Sequence, residues 1–198
     1  MNSEQILFHF KETDALLEGH FILSSGLHGG DYLQSALALQ YPADARRFAQ
    51  AIAELFVQSN GGQGGTAFGV DTVASPAIGG LVIGYAVAQA LNVRFIWTER
   101  QEGIMTLRRG FSVKEGERIL VVEDVITTGG SVRECIEALE KHGAKIVAAA
   151  SIIDRSNGKA DVGVPHIALA TLDVPTYQPD ACPLCESGTQ AYKPGSRK

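Results

Sequence analysis

The chain has little sulfur, no long apolar run and a deficit of basic residues. Cysteine occurs three times in 198 residues, as Cys135, Cys182 and Cys185. That is too few for a disulfide framework at this length. The longest apolar stretch, Ile78 to Leu91, is Gly-rich and broken by Gln89, and it is too short to span a bilayer. Met1 to Phe10 carries Glu4 and His9 and lacks the basic start, apolar run and small-residue site of a signal peptide. Lys and Arg number 17 against 22 Asp and Glu, a net charge of -5. Generic nucleic-acid binding leans on cations that neutralise phosphates, so this balance argues against it. The absences together point to a soluble, cytoplasmic protein with no nucleic-acid or membrane partner.

What is present is apolar residues, at 45%, and 22 glycines. This supports one α/β domain over residues 1–198 with a real core and several tight loops. Ser3 to Leu17 has helical spacing after a capping-type Ser. Phe21–Ser24 and Asp31–Gln34 read as a small hairpin around the Gly-rich Ser25–Gly30. Asp44–Val57 reads as a second helix. From Thr66 onward, short strands (Ala67–Val70, Val93–Trp97, Arg118–Glu123, Lys145–Ile153, His166–Leu172) alternate with helices (Ile78–Leu91, entered by Pro76, and Ser131–His142). Gly143 stands where a helix C-cap belongs. This alternation predicts a central parallel sheet flanked by helices. Thr98–Gly110 shows no clean helical period, and Pro175–Lys198 shows little periodicity at all.

The most informative stretch is Ile119–Ser131, ILVVEDVITTGGS. An apolar strand runs into Glu123 and Asp124, then through Val125 and Ile126 into Thr127, Thr128, Gly129, Gly130 and Ser131, where a helix begins. Ligands of open α/β sheets bind at the C-terminal ends of strands. Glycines let backbone N–H groups close around a phosphate, and the helix start adds unpaired donors and the positive end of its dipole. The three hydroxyls add further donors. The carboxylates repel a phosphate, so they suit ribose hydroxyls, or a Mg²⁺ held between sugar and diphosphate. The loop is neither a Walker A sequence nor a G-x-G-x-x-G loop. The bland alternative is a strand–turn–helix joint with a chance acidic pair.

VVEDVITTGGS resembles the signature of type I phosphoribosyltransferases, which holds the 5′-phosphate of phosphoribosyl diphosphate. FILSSGLHGGDYLQSA (21–36), TERQEGIMTLRRGF (98–111), SIIDRSNG (151–158) and the tail from Val174 are similar to segments of orotate phosphoribosyltransferases: their N-terminal hairpin, mobile active-site loop, Asp-Arg segment and C-terminus. The resemblance implies a type I fold with a small hood, made of residues 1–36 and the C-terminal part. It implies transfer of phosphoribose to orotate, giving orotidine 5′-monophosphate and diphosphate in pyrimidine (UMP) synthesis, with Mg²⁺ as cofactor. It assigns Glu123 and Asp124 to the ribose, Val125–Ser131 to the 5′-phosphate, Thr127 and Arg155 to orotate, and Arg100 to the diphosphate. Glu123, Asp124 and Arg100 form its catalytic set, and no protein metal ligand is assigned. A homodimer with a shared active site is implied as well.

The better-known branch has a Lys-rich mobile loop. Here that region offers Arg100, Gln101, Ile104, Arg108 and Arg109 and no lysine. Ile78-Gly79 stands where that branch has Tyr-Lys, and Ser24 replaces a hairpin Lys. Arg108 or Arg109 is a candidate substitute. Ser75–Gly80 reads as a second loop for the diphosphate or as a plain helix start, with Asp71 at the same edge or capping a turn. Gly103 and Gly110 are candidate lid hinges. Arg155 pairs with the orotate carboxylate or, more plainly, with Asp154 at the surface. Cys182-Pro-Leu-Cys185 is half a zinc motif; a loose thiol pair is the preferred reading, with His166 a possible third ligand. His28 lies in a Gly-rich turn where ligand contact is conceivable. Two other functions fit the same fold: a purine-type phosphoribosyltransferase, and a non-catalytic nucleotide-binding regulator.

Overall fold

A computed structural model describes residues 1–23, 26–59 and 69–194. Helix α1 (Ser3–Glu12) is capped by Asn2, not Ser3. Asn2 Oδ1 accepts from the Gln5 amide at 2.9 Å, and Gln5 Oε1 accepts from the Asn2 amide at 3.0 Å, a reciprocal capping box. The helix ends earlier than its apolar spacing suggested. Thr13 caps it, Asp14 takes a left-handed conformation at φ 53°, and Leu16 and Leu17 open strand β1 (Leu16–Ile22) instead. Strand β2 (His28–Leu33) pairs with β1 antiparallel. The hairpin expected at Phe21–Gln34 is therefore real but begins earlier. Ser24 falls outside the described residues, as do the Ser59–Gly65 loop after Ser59 and the first half of the Ala67–Val70 strand.

Helices α2 (Ser35–Leu39) and α3 (Pro42–Ser59) follow. Strand β3 is Thr72–Pro76, so Val70 precedes the strand rather than ending it. Then come α4 (Gly80–Leu91), β4 (Arg94–Gln101), β5 (Ile104–Leu107), β6 (Arg118–Ile126), α5 (Gly130–Glu140), β7 (Lys145–Asp154) and β8 (His166–Thr171). The main sheet runs β5-β4-β3-β6-β7-β8 and is parallel except for β4–β5. The aperiodic look of Thr98–Gly110 has a physical cause. It is a hairpin whose turn residues Glu102 and Gly103 both have positive φ, 53° and 84°, the tight turn that matches strand twist.

Two cores flank the sheet. Leu120 and Val122 of β6 enter the core built with α1, α3 and α4, while Ile119 and Val121 enter the one built with α5. Strand alternation sends successive side chains to opposite faces, and burial on both faces explains the unbroken apolar run of β6. The tail is more structured than its composition suggested. It forms β9 (Thr176–Tyr177), a 3-10 turn at Pro179–Ala181 and helix α6 (Pro183–Glu186). Strand β9 joins β2, giving a second sheet β1-β2-β9, and Tyr192 bridges back to Phe21. N-terminal and C-terminal segments together make this second sheet.

Candidate active site

Glu123 and Asp124 lie near the C-terminal end of β6, and the chain passes from Ile126 into the loop that starts α5. Gly129 takes φ 76°, and a Cβ there would lie 2.8 Å from Val162. Glycine is thus required by conformation and by space. Thr127, Thr128 and Ser131 are exposed. Arg133 Nη1 donates to the Thr128 carbonyl at 3.0 Å and ties the loop to the first turn of α5. Loop amides at the start of α5 are donors of the kind that suit a phosphate.

The acidic pair is asymmetric. Glu123 is buried, and burial, followed by the neighbouring Asp124 charge, pushes its carboxyl well above the ordinary range. Asp124 is half-buried; its Oδ1 accepts from the Val125 amide at 2.9 Å, and its Oδ2 accepts from the Ser35 hydroxyl. Ser35, the first residue of α2, thus reaches the acidic pair. It lies inside the 21–36 segment, but no role was assigned to it there.

The loop after β3 presses against this pair. The Ala77 amide donates to the Thr98 carbonyl at 2.8 Å, and the Ala77–Ile78 peptide is cis. A Cβ at Gly79 would stand 2.7 Å from Asp124 Oδ1, and one at Gly80 would stand 2.8 Å from the Val122 carbonyl. The glycines let α4 begin directly beside the carboxylates. Asp71 belongs elsewhere: it precedes β3 and holds Arg118 at the opposite end of the strands, accepting from its amide at 3.0 Å and its guanidinium at 2.8 and 2.9 Å. The edge role considered for Asp71 is therefore overturned.

Arg155 follows β7, and its amide donates to the Ile126 carbonyl at 2.7 Å, next to Thr127. The two residues assigned to one substrate are neighbours across the β6–β7 ladder, where Ile126 pairs with Asp154. Asp154 does not hold the guanidinium. Its carboxylate accepts from the Ser156 amide and hydroxyl and the Gly158 amide, at 2.7, 2.6 and 2.9 Å, which corrects the surface-pair alternative. Burial alone would raise the Asp154 carboxyl, but those hydrogen bonds win and lower it. Arg155 Nε is buried with no hydrogen-bond partner among the described residues. Burial lowers the Arg155 pKa, opposed by the charge of Asp31 on β2. Asp31 is a hood residue that sequence reasoning missed.

Of the other arginines considered, Arg100 lies on β4 and Arg108 and Arg109 directly follow β5. Arg100 pairs with Glu134 of α5 at 2.6 Å and donates to the Gly103 carbonyl at 2.9 Å. Arg109 grips Glu99 with two hydrogen bonds, at 2.7 and 3.0 Å, and Arg108 lies 3.7 Å from the same carboxylate. The structure does not bring any of the three into an ion pair with Glu123 or Asp124 of the same chain. His166 is bound to Ser151 at 3.0 Å and is not the third ligand considered for the cysteines.

A parallel sheet carrying a strand–acidic pair–Thr/Gly loop–helix unit defines a class, and the comparisons agree with it. The chain belongs to the phosphoribosyl transferase family, whose domain matches residues 43–167. Within it, the chain is 51% identical over 198 residues to the orotate phosphoribosyltransferase of Caldicellulosiruptor saccharolyticus, covering 100% of this chain and 99% of that one. It is 49% identical over 187 residues to the orotate phosphoribosyltransferase of Thermotoga maritima, covering 94% and 95%. Among solved structures, orotate phosphoribosyltransferase from Aeropyrum pernix matches with a TM-score of 0.63 at 25% identity, over 82% of this chain and 91% of that one.

Proposed function

We infer that the chain transfers the phosphoribosyl group of 5-phosphoribosyl 1-diphosphate to orotate, releasing diphosphate and forming orotidine 5′-monophosphate for pyrimidine synthesis. The observation that carries the choice of base is Arg155. A half-buried guanidinium whose Nε is buried and has no hydrogen-bond partner among the described residues, beside the phosphate loop, suits a planar carboxylate, which a guanidinium binds through two parallel hydrogen bonds. A neutral purine offers it no such partner.

The chemistry requires positioning more than proton transfer. Breaking the C1–diphosphate bond leaves positive charge on the ribose and negative charge on the leaving group. Val125–Ser131 anchors the 5′-phosphate, and Glu123 and Asp124 accept from the ribose hydroxyls, with the Asp124 carboxylate close to the developing cation. Gly79 and Gly80 offer backbone donors to the diphosphate. Orotate is already an anion, so its ring nitrogen attacks without a strong base. Mg²⁺ fits the all-oxygen donor set of these carboxylates and hydroxyls. Asp124, the more accessible carboxylate, would hold it together with the substrate's own oxygens, and it would neutralise diphosphate charge.

The active form in this reading is a cytoplasmic homodimer. Ile78, just before α4, and Val82 and Tyr85, on its first turns, are 83%, 49% and 64% exposed, beside the diphosphate loop. An apolar stripe so close to the site supports a second copy as its cover. The β4–β5 hairpin at the sheet edge then offers Arg100, after release from Glu134, to the neighbouring site. Among the described residues no helix is long and apolar enough to cross a membrane.

The test is base selection. The purified chain is incubated with phosphoribosyl diphosphate, Mg²⁺ and either orotate, adenine or hypoxanthine, and products are separated by chromatography. Orotidine 5′-monophosphate alone is expected. A purine nucleotide would move the assignment to another base, and binding without any product would favour a regulator.

A further inference from the structure

Outside the catalytic site, the hood brings together four metal-ligating side chains from opposite ends of the chain. His20 on β1 and His28 on β2 face Cys182 and Cys185, which bracket the first turn of α6. One ligand atom from each lies within 4.8 Å of every other. His20 Nε2 is 2.9 Å from His28 Nδ1, 3.5 Å from Cys182 Sγ and 3.8 Å from Cys185 Sγ, and Cys185 Sγ is 3.3 Å from His28 Nδ1. Metal–nitrogen bonds of about 2.0 Å and metal–sulfur bonds of about 2.3 Å imply tetrahedron edges of roughly 3.3–3.8 Å. These four separations, 2.9 to 3.8 Å, lie near those edges, and the other two are no longer than 4.8 Å.

We propose that His20, His28, Cys182 and Cys185 form a structural zinc site that fastens the C-terminal tail to the N-terminal hairpin. The tautomer of His20 supports it. Its Nδ1 lies 2.9 Å from the Thr189 carbonyl, which only accepts, so Nδ1 carries the proton. The Nε2 lone pair is left pointing at His28 and both sulfurs. Such an outer hydrogen bond is what orients a metal-binding imidazole, and Thr189 is itself fixed by donating its hydroxyl to the Leu184 carbonyl at 2.6 Å.

Burial and charge agree. His20, His28 and Cys182 are 5%, 8% and 1% exposed, while Cys185 is the exposed member of the set. Zn²⁺ binding releases one proton from each thiol, and two thiolates with two neutral imidazoles balance the ion, leaving a neutral centre that can be buried. A closed set of two sulfurs and two nitrogens selects zinc, and with no position left open the site is structural rather than catalytic. Its consequence is local order. Strand β2 starts at His28 and continues to Asp31, whose charge reaches Arg155, so the tie sets the hood against the substrate side. Cys135 is separate: it is fully buried, and burial pushes its thiol up to about 12.

The test uses full-length, untagged protein and needs no turnover, so it stands or falls apart from the assignment of base. Elemental analysis of the purified chain should give about one zinc per chain, lost in the Cys182→Ser/Cys185→Ser variant. Apo protein titrated with Co²⁺ should develop thiolate charge-transfer and tetrahedral d–d bands that saturate at about one equivalent and vanish on adding Zn²⁺. His20→Asn and His28→Asn, which keep both thiols, should weaken or shift those bands. Zn²⁺ should raise the Tm of the apo wild type by roughly 5 °C or more and leave the double variant unmoved. Absence of metal with no Co²⁺ bands from the reduced protein would overturn the proposal. So would a Cys182–Cys185 disulfide in the native chain, iron or copper in place of zinc, or unchanged bands in both histidine variants.

Discussion

Gly79 and Asp124 are packed so closely that a single added methyl at Gly79 would stand 2.7 Å from the Asp124 Oδ1 oxygen. Gly79 has φ -54°, which alanine adopts readily. A substitution there therefore acts through the carboxylate and not through the backbone. Gly79→Ala should lower kcat/KM for phosphoribosyl diphosphate by about tenfold or more, while the Tm shifts by no more than about 4 °C. Steady-state kinetics beside thermal unfolding checks this. Unchanged kinetics would mean Asp124 does not work from its observed position.

In the proposed reaction Arg155 carries the preference for an anionic base. Replacing it with Gln removes one charge-assisted pair, worth roughly 1.5–3 kcal/mol. The KM for orotate should rise about tenfold to a hundredfold, with the KM for phosphoribosyl diphosphate changed far less. Both constants come from the same substrate matrix. Equal rises would place Arg155 at the diphosphate instead.

The Asp71–Arg118 pair gives a pH dependence with a defined sign. The Arg118 hydrogen bonds lower the Asp71 carboxyl from 3.8 to about 2. A depressed carboxyl contributes stability above its ordinary pKa and loses it as pH falls through the folded value. Both side chains are about a third exposed, so solvent screening limits the gain to roughly 1 kcal/mol. Asp71→Asn should be less stable by that amount near neutrality. The gap should close as pH falls from about 4 towards about 2, measured by urea unfolding at each pH.

The apolar stripe on α4 predicts an assembly defect. Tyr85→Asp places a charge where a second copy is proposed to pack, and sedimentation should show a monomer in place of a dimer. Activity should fall with it if Arg100 serves the neighbouring site. A dimer that persists would put the interface elsewhere.

Local chemistry was readable from the sequence, and long-range pairing was not. The stretch from Glu123 to Ser131 is contiguous: its hydroxyls and glycines suit a phosphate, and its carboxylates suit ribose hydroxyls or a cation. The parallel strands were legible because β6 and β7 are apolar on both faces. The start of β1 was hidden because Leu16 and Leu17 continue the helical spacing of α1, and only the left-handed Asp14 breaks it. Strand β5 was hidden because a four-residue strand shows too little alternation. The contacts of Ser35 with Asp124 and of His20 with Cys182 span 89 and 162 residues, and no spacing rule reports such a pair. Arg100 was assigned to the diphosphate by resemblance; its partner Glu134 lies on α5 beyond the motif, so no local pattern announced that pair.

The most direct test of the account is the initial rate of orotate consumption, followed by absorbance with phosphoribosyl diphosphate and Mg²⁺, for the wild type and Asp124→Asn side by side. The account predicts rapid consumption by the wild type, dependence on Mg²⁺, and a loss of about a hundredfold or more in the variant. Orotate left intact by a folded wild type that binds phosphoribosyl diphosphate would contradict it, as would a variant as active as the wild type.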